Sequence, residues 1–423
     1  MTNKSTILSL FLMMILLCSS AVSAQYHFEL TPAISVSEEY DDNLYLESDN
    51  EVSDYITSVS PGITLSVLSQ NTLLDLAYSP TFVWYEDEDE NDTVRHSATL
   101  TFSQHLSEHV TFDLSDTYLK SEDPLEDTEE VEGVRTTRNT YERNSGSASL
   151  TLLFGPENAL TGGYRHTLLE NEDITLDDGT TQNPFGSLSY WFNVKNGIEL
   201  SYDYTKAEFT RDDASLPGDD YTGHGAGIRY IHRFRPHTRG SVGYDYTTRD
   251  FDGLEEDYAV HEGSIGYEHD FSPDFSISLG VGYFVQKNDY SEDENGATLD
   301  ASLSKRFERG SITINGSSGW DEAYLEAERR GFTRYWSGEA RLEYQILGPL
   351  AGYLGGSYRW DEDEIDREWD TVRGNCGLTL SFLRWFSTSI DYEYAERDDD
   401  VDTDDYELNR VTLMFTATKL FRW

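Results

Sequence analysis

Residues 54–85 read DYITSVSPGITLSVLSQNTLLDLAYSPTFVWY, two alternating runs joined by a short polar turn. In the first run Val59, Pro61, Ile63, Leu65 and Val67 share one face, while Ser58, Ser60, Gly62, Thr64 and Ser66 share the other. Beyond Gln70-Asn71, the residues Leu74, Leu76, Tyr78, Pro80, Phe82 and Trp84 alternate with Asp75, Ala77, Ser79 and Thr81. Side chains along a strand point to opposite faces in turn, so each run is a strand with one apolar face and one small or polar face. Each stays in phase for about 12 residues or more, well beyond the usual strand of about 5 or 6.

The pattern recurs to the end of the chain. Ile277, Leu279, Val281, Tyr283 and Val285 alternate with small residues, and Cys376, Leu378, Leu380 and Phe382 alternate with Asn375, Gly377, Thr379 and Ser381. Tight-turn signals fall at Gln70-Asn71, Ser107-Glu108, Gly155-Pro156, Lys195-Asn196, Arg235-Pro236, Ser272-Pro273, Arg309-Gly310, Gly348-Pro349 and near Trp385. Between them lie acidic segments, among them Asp41 to Glu51, Glu86 to Asn91, Glu122 to Arg138, Arg211 to Asp220, Glu292 to Glu294, Asp361 to Asp366 and Asp398 to Asp405. Nine tight turns separate ten two-strand units and predict about 20 strands, with 18 inside the boundary error of such a reading.

The chain has 423 residues, 79 acidic and 31 basic, for a net charge of -48, with only 37% hydrophobic residues. That balance alone would suit a disordered chain, but 28 Tyr, 20 Phe and 8 Trp are rings such a chain has no use for. The charge repels phosphates and excludes nucleic-acid binding by basic patches. Residues 1–24 carry Lys4, an apolar run from Ile7 to Leu17 and the small-residue end Val22-Ser23-Ala24, the form of a signal peptide cleaved after Ala24. Residues 25–423 then form one domain. Leu17 before Cys18 argues against lipidation, and Cys376 alone leaves no internal disulfide. No later apolar run is long enough for a transmembrane helix.

A repeat of this length also suits a β-propeller, but four strands per repeat would each be far shorter than these runs. Long strands with an apolar face match a tilted membrane crossing, and only a closed barrel satisfies every backbone group of such strands in lipid. The expected fold is therefore all-β: a transmembrane, up-and-down antiparallel barrel with its apolar face outward. Tyr78 and Trp84, Tyr202 and Tyr204, Tyr244 and Tyr246, and Tyr392 and Tyr394 read as interfacial girdle residues. The end of the chain, with Phe421 and terminal Trp423, resembles the assembly signal of bacterial outer-membrane proteins, while Lys419 breaks the alternation and can snorkel. An even strand number puts both termini and the tight turns in the periplasm and the acidic loops outside.

With strands about 4.8 Å apart and tilted by about 40°, the cylinder would be on the order of 40 Å across. Loops of about 5 to 17 residues offer no obvious plug or constriction, so the pore is expected to be wide or closed by a partner. The lumen-lining candidates are Asp75, Asp113, Arg165, Glu199, Asp203, Arg229, Arg233, Asp245, Arg341, Glu343, Arg359, Asp391 and Glu393, with Arg249, Arg306 and Glu268 on the same face. Two readings stay open for them, a lattice of cross-strand ion pairs and a hydrated track for a polar polymer. The acidic loops read as solvated tips, without the spaced ligands and turn glycine of a calcium loop. His224 after Asp219-Asp220 and His261 before Glu262 are chance neighbours in so acidic a chain. No HExxH, GxSxG or phosphate-binding loop occurs, so no catalytic residue, metal ligand or cofactor is assigned.

One stretch carries a family likeness. Tyr40-Asp41-Asp42-Asn43-Leu44-Tyr45-Leu46, Glu51-Val52-Ser53-Asp54-Tyr55-Ile56-Thr57 and Val59-Ser60-Pro61-Gly62, followed by Tyr78, Tyr85 and His96, resemble the opening of the β-barrel porin family found alongside exopolysaccharide and exosortase-type gene systems. The resemblance implies an outer-membrane barrel that exports polysaccharide with a periplasmic export protein as partner, and it supplies no catalytic residues. Outer-membrane lipid and the barrel assembly machinery are the other expected partners. A general diffusion porin is the alternative, with a surface adhesin or a rim-located barrel enzyme more remote.

Overall fold

Period-two alternation sustained over so many long segments leaves a sheet as the only way to pair their backbones. The computed structural model describes residues 26–126, 138–173, 176–210, 220–253, 255–323, 331–401 and 403–423, and the expected signal peptide, residues 1–24, lies outside them. The first strands are β1 (His27–Asp41), β2 (Asp54–Leu68), β3 (Thr72–Tyr85), β4 (Thr93–Ser107), β5 (Val110–Ser121), β6 (Tyr141–Leu153) and β7 (Ala159–Asn171). The next are β8 (Asp178–Asn193), β9 (Asn196–Thr210), β10 (Tyr221–Arg235), β11 (Thr238–Phe251), β12 (Tyr258–Ser272), β13 (Phe275–Asn288) and β14 (Asn295–Phe307). The last are β15 (Gly310–Ala323), β16 (Gly331–Leu347), β17 (Leu350–Asp363), β18 (Glu368–Phe382), β19 (Phe386–Asp399), β20 (Tyr406–Thr418) and the short β21 (Phe421–Arg422).

Each strand pairs antiparallel with its chain neighbours, and β1 also pairs with β20 and β21, so the sheet closes. β21 continues β20 after a two-residue break, which makes a closed barrel of 20 spans. The break has a chemical cause. Lys419 donates its backbone N–H to the Pro32 carbonyl at 3.2 Å, but Pro32 has no N–H to return. The ladder then resumes in the same register, with Leu30 opposite Phe421, Glu29 opposite Arg422, and Phe28 and Trp423 exchanging both backbone bonds at 3.0 and 3.1 Å. The Phe28 and Trp423 rings stack beside them, and the Lys419 ammonium lies over the rings of Trp385 and Phe421.

All nine expected tight turns fall in connections at one end of the barrel, the end that also holds both described termini. Five of these hairpins carry a register shift just before the turn, and the extra residue is Leu106, Phe192, Phe234, Phe271 or Ile346. A bulge re-aims a side chain. Here it aims one large apolar group outward per turn, and all five are exposed. At the loop side the outer girdle is tyrosine-rich, and a neighbouring strand supplies polar partners: Tyr78 to His96 at 2.9 Å, Tyr202 to His224 at 2.8 Å, Tyr244 to His261 at 2.7 Å and Tyr392 to Asn409 at 2.8 Å.

Among the described residues no helix is long and apolar enough to cross a membrane, and the crossings are strands. Ile63 lies mid-strand on the outer face and is 47% exposed, whereas Thr64, between Thr31 and Ala77, faces in. Arginine at Ile63 should destabilise the barrel in lipid by about 2–4 kcal/mol, and arginine at Thr64 by much less. Denaturant titration of the two variants in bilayers checks this; equal losses would contradict the assignment of faces.

Candidate functional site

The ladder register fixes which side chains share the inner wall. Arg410 on β20 reaches Asp123 beyond β5, and Arg138 before β6 reaches Asp41 on β1. Contacts between segments that are not neighbours in the sheet are made on its concave side, so the face carrying Asp41 and Arg410 is the lumen. The pairing places all 13 lumen candidates on that face: Asp75 is opposite Ser66 and Thr101, Asp113 opposite Ser103 and Ser149, and Asp391 opposite Gly377 and Thr412.

The structure brings some of these candidates together. Glu199 and Arg229 pair across β9 and β10 at 4.0 Å with both side chains about half exposed, and Arg341 pairs with Glu343 along one strand at 2.9 Å. Arg233 pairs with Glu157 on the turn after β6 at 2.9 Å, and Arg359 pairs with Asp361 at 2.7 Å. Arg165 donates to Asn183 at 3.0 Å, and Asn183 in turn donates to Asp203 at 3.1 Å. Asp113 accepts from Ser103 at 2.7 Å, Asp391 accepts from Tyr353 at 2.8 Å, and Glu393 lies 3.9 Å from Arg410. Asp75 has no side-chain partner among the described residues.

Four of the inner arginines lie on aromatic rings. The guanidinium of Arg233 sits 3.6 Å over Trp191, that of Arg165 4.1 Å over Phe185, that of Arg359 4.3 Å over Tyr335 and that of Arg341 4.7 Å over Tyr353. The rings themselves lie against the wall. A Cβ added at Gly197 would come within 2.8 Å of Trp191, and one at Gly163 would overlap Phe185, so glycine is what lets these rings lie down. Long side chains that could cross the lumen are thereby held along its side.

The loop-side mouth differs from the rest. Apart from Ile231 and Ser389, every deeply buried non-glycine side chain of the described residues lies in the loop-side half or its loops. Ala207, Phe209, Tyr221, Tyr258, Val260 and Phe284 on the inner wall form one apolar cluster with Phe332 from the tip of β16, and Trp320 stacks on Phe332. Glu322 ties the same tip down, accepting from Arg249 at 2.7 Å and from Tyr258 at 2.6 Å. Opposite, the segment after β1 turns inward, burying Leu44 with Ile56, Val83 and Tyr85, and Leu46 with Ala395, Tyr406 and Leu408. Asn43 holds that turn by bonding both the backbone N–H and the carbonyl of Glu47, at 3.0 and 2.8 Å.

A charged cluster joins the inward segments to the wall. Arg95 pairs with Glu122 at 2.7 Å, Arg138 with Asp41 at 3.2 Å, and Arg410 with Asp41 at 3.0 Å and Asp123 at 3.3 Å. Burial pushes the Asp123 carboxyl up, but Arg410, Arg138 and Arg95 outweigh it and hold the group well below the usual carboxylate range. A depressed carboxylate contributes stability that is present at neutral pH and fades only as pH falls toward the folded value. Losing one partner of so buried a pair costs about 3–5 kcal/mol.

These contacts correct the expectation that no loop narrows the lumen. Loop length was the wrong criterion: short segments constrict the mouth because their side chains turn inward and are held by buried ion pairs. The acidic loops also do more than stay solvated. Asp92, Asp178, Asp220, Asp257 and Asp405 each accept the backbone N–H of the last residue, or in one case the second to last, of the preceding strand and so connect it to the returning one: from Tyr85, Asn171, Phe209, Phe251 and Asp399 at 2.7 to 2.9 Å. In Asp220-Tyr221, Asp257-Tyr258 and Asp405-Tyr406 the next residue is a buried ring of the mouth. That repeated dipeptide was the available sequence signal. The acidic stretch 127–137 and residues 211–219 lie outside the described residues.

No protein-family model matches the chain, and no curated protein matches it in sequence. Solved structures do match in shape. A ferric enterobactin receptor, PfeA of Pseudomonas aeruginosa, superposes with a TM-score of 0.54 at 8% identity over 95% of this chain and 82% of that one. The FrpB iron transporter of Neisseria meningitidis gives 0.53 at 10% identity over 92% and 82%. The outer membrane protein OpdK of Pseudomonas aeruginosa gives 0.44 at 10% identity over 93% and 99%. The chain has the fold of an outer-membrane β-barrel. At these identities the likeness is one of fold alone.

If the β16 tip narrows the mouth, Phe332→Ala should raise single-channel conductance in planar bilayers above that of the unaltered barrel. It should also lower the temperature at which the barrel unfolds on gels, since deleting a buried Phe ring costs about 3–5 kcal/mol. Unchanged conductance in a folded variant would show that Phe332 does not obstruct the path.

Proposed function

We propose that this protein is an outer-membrane channel that serves as a conduit for a secreted polysaccharide. The observation that carries the reading is the inner wall: serine, threonine and glycine alternate with charges, and four of its arginines, Arg165, Arg233, Arg341 and Arg359, lie on aromatic rings. A hydrated, polar wall suits a bulky polar chain passing lengthwise. The packed mouth restricts leakage when no polymer is threaded. A periplasmic export protein would dock on the turns near Gln70, Lys195, Ser272 and Gly348, and the β21 pairing of Phe421 and Trp423 would complete assembly by the barrel machinery. Catalysis has no part in this reading.

The test is a strain lacking the gene, assayed for surface polysaccharide and for uptake of small solutes. Loss of surface polymer with unchanged uptake is the expected result. Normal polymer with slowed uptake of small hydrophilic solutes would reject export and leave a general diffusion porin.

A further inference from the structure

The inner wall treats its two signs of charge differently. Its arginines are largely committed: Arg229 to Glu199, Arg233 to Glu157, Arg239 to Glu268 at 2.6 Å, Arg341 to Glu343 and Arg359 to Asp361. Several of its carboxylates have no cation directly opposite them and face a glycine. Across the ladder Asp203 is opposite Gly225, Asp245 opposite Gly227, Asp300 opposite Gly280 and Asp391 opposite Gly377. The glycine leaves the space that the carboxylate occupies: a Cβ at Gly227 would lie 2.5 Å from the Asp245 carboxylate, and one at Gly225 would overlap Asp203. Where these aspartates have bonded partners they are neutral donors, Asn183 for Asp203 and Tyr353 for Asp391.

Three of the four sit at one depth. Asp203 and Asp245 are each seven residues up from the turn-side start of β9 and β11, and Asp300 is seven from the turn-side end of β14. Glu339, between Asn315 and Ser357 and eight residues from the turn-side end of β16, extends the arc. Against them, Arg165 is bonded to the neutral Asn183, and Arg306 lies on the same face. The fixed charge at mid-barrel is therefore negative, and the loops beyond it carry the same sign.

From this asymmetry we infer that the channel is selective for cations, and that a polymer it passes is neutral or positively charged rather than polyanionic. The inference rests on the channel reading. Rings of Asp and Glu select cations because they lower the energy of the positive ion along the path and raise that of the negative one. The effect reaches across a wide lumen only while salt screening is weak, with a Debye length of about 10 Å at 0.1 M and about 30 Å at 0.01 M.

The experiment uses the full mature barrel, purified from outer membranes, in planar bilayers under a KCl gradient from about 0.1 M to about 0.01 M, where screening is weak. The dilute side should become positive, reporting potassium permeating several-fold faster than chloride, and the potential should collapse when both solutions are raised toward about 1 M, where the Debye length is about 3 Å. The triple variant Asp203→Asn, Asp245→Asn, Asp300→Asn, checked for intact heat-modifiable migration, should lose most of that potential. A wild-type barrel that conducts with zero or chloride-directed potential overturns the inference and leaves the channel reading intact. A barrel with no conductance, in either the wild type or Phe332→Ala, rejects the channel reading and the inference with it.

Discussion

In hydrocarbon there is no water to satisfy a backbone amide, and each unpaired group costs several kcal/mol. Everything else in this structure follows from meeting that demand without a helix. An open sheet would leave two unpaired edges in lipid, so the first strand must find the last. It does so from Ala33 opposite Thr418 to Asp41 opposite Arg410, and again from Phe28 to Leu30 against the end of the chain. Pro32 removes one donor from this seam and the ladder skips it rather than shifting register, so the aromatic end of the chain stays in phase with β1.

Closure imposes the distinction between the two faces. Once the sheet is a cylinder, the period-two alternation that looks like a half-buried soluble strand becomes a lipid face and a water face, and the lumen inherits whatever residues the alternation leaves. Several long cationic side chains there lie on aromatic rings. Asp203, Asp245, Asp300 and Asp391 stand opposite glycines with no cation directly across. The two ends then diverge: tight turns aim bulged apolar residues at the membrane, while the loop side turns rings and ion pairs inward over the mouth.

The strands, the tight turns and the outward face were legible because each depends on neighbours within a few residues. The runs at 54–67 and 72–85 carry their own period, and Gly348-Pro349 or Ser272-Pro273 announces a turn without reference to the rest of the chain. What could not be read depends on closure. Arg138 meets Asp41 and Arg410 meets Asp123 across long separations in sequence, and no local pattern pairs them. Asp220-Tyr221 and its repeats were visible but looked like acidic loop, because the backbone N–H that the aspartate satisfies belongs to the preceding strand. Which side chains lie on the inner face followed from period alone; their partners did not.

Closure between the first and last spans is the claim on which the rest stands, and one pair of positions reports it. The hydroxyls of Ser35 and Thr416 meet across the seam at 2.9 Å although 381 residues separate them. With Cys376→Ala removing the one cysteine among the described residues, Ser35→Cys and Thr416→Cys place two sulfurs on directly opposed residues, whose Cα separation of about 4.5–5.5 Å accepts a disulfide. Oxidation of the membrane-inserted protein should cross-link β1 to β20 nearly completely, read as faster migration of the denatured, unreduced chain. Free thiols persisting in protein that remains inserted would contradict a closed barrel with this seam.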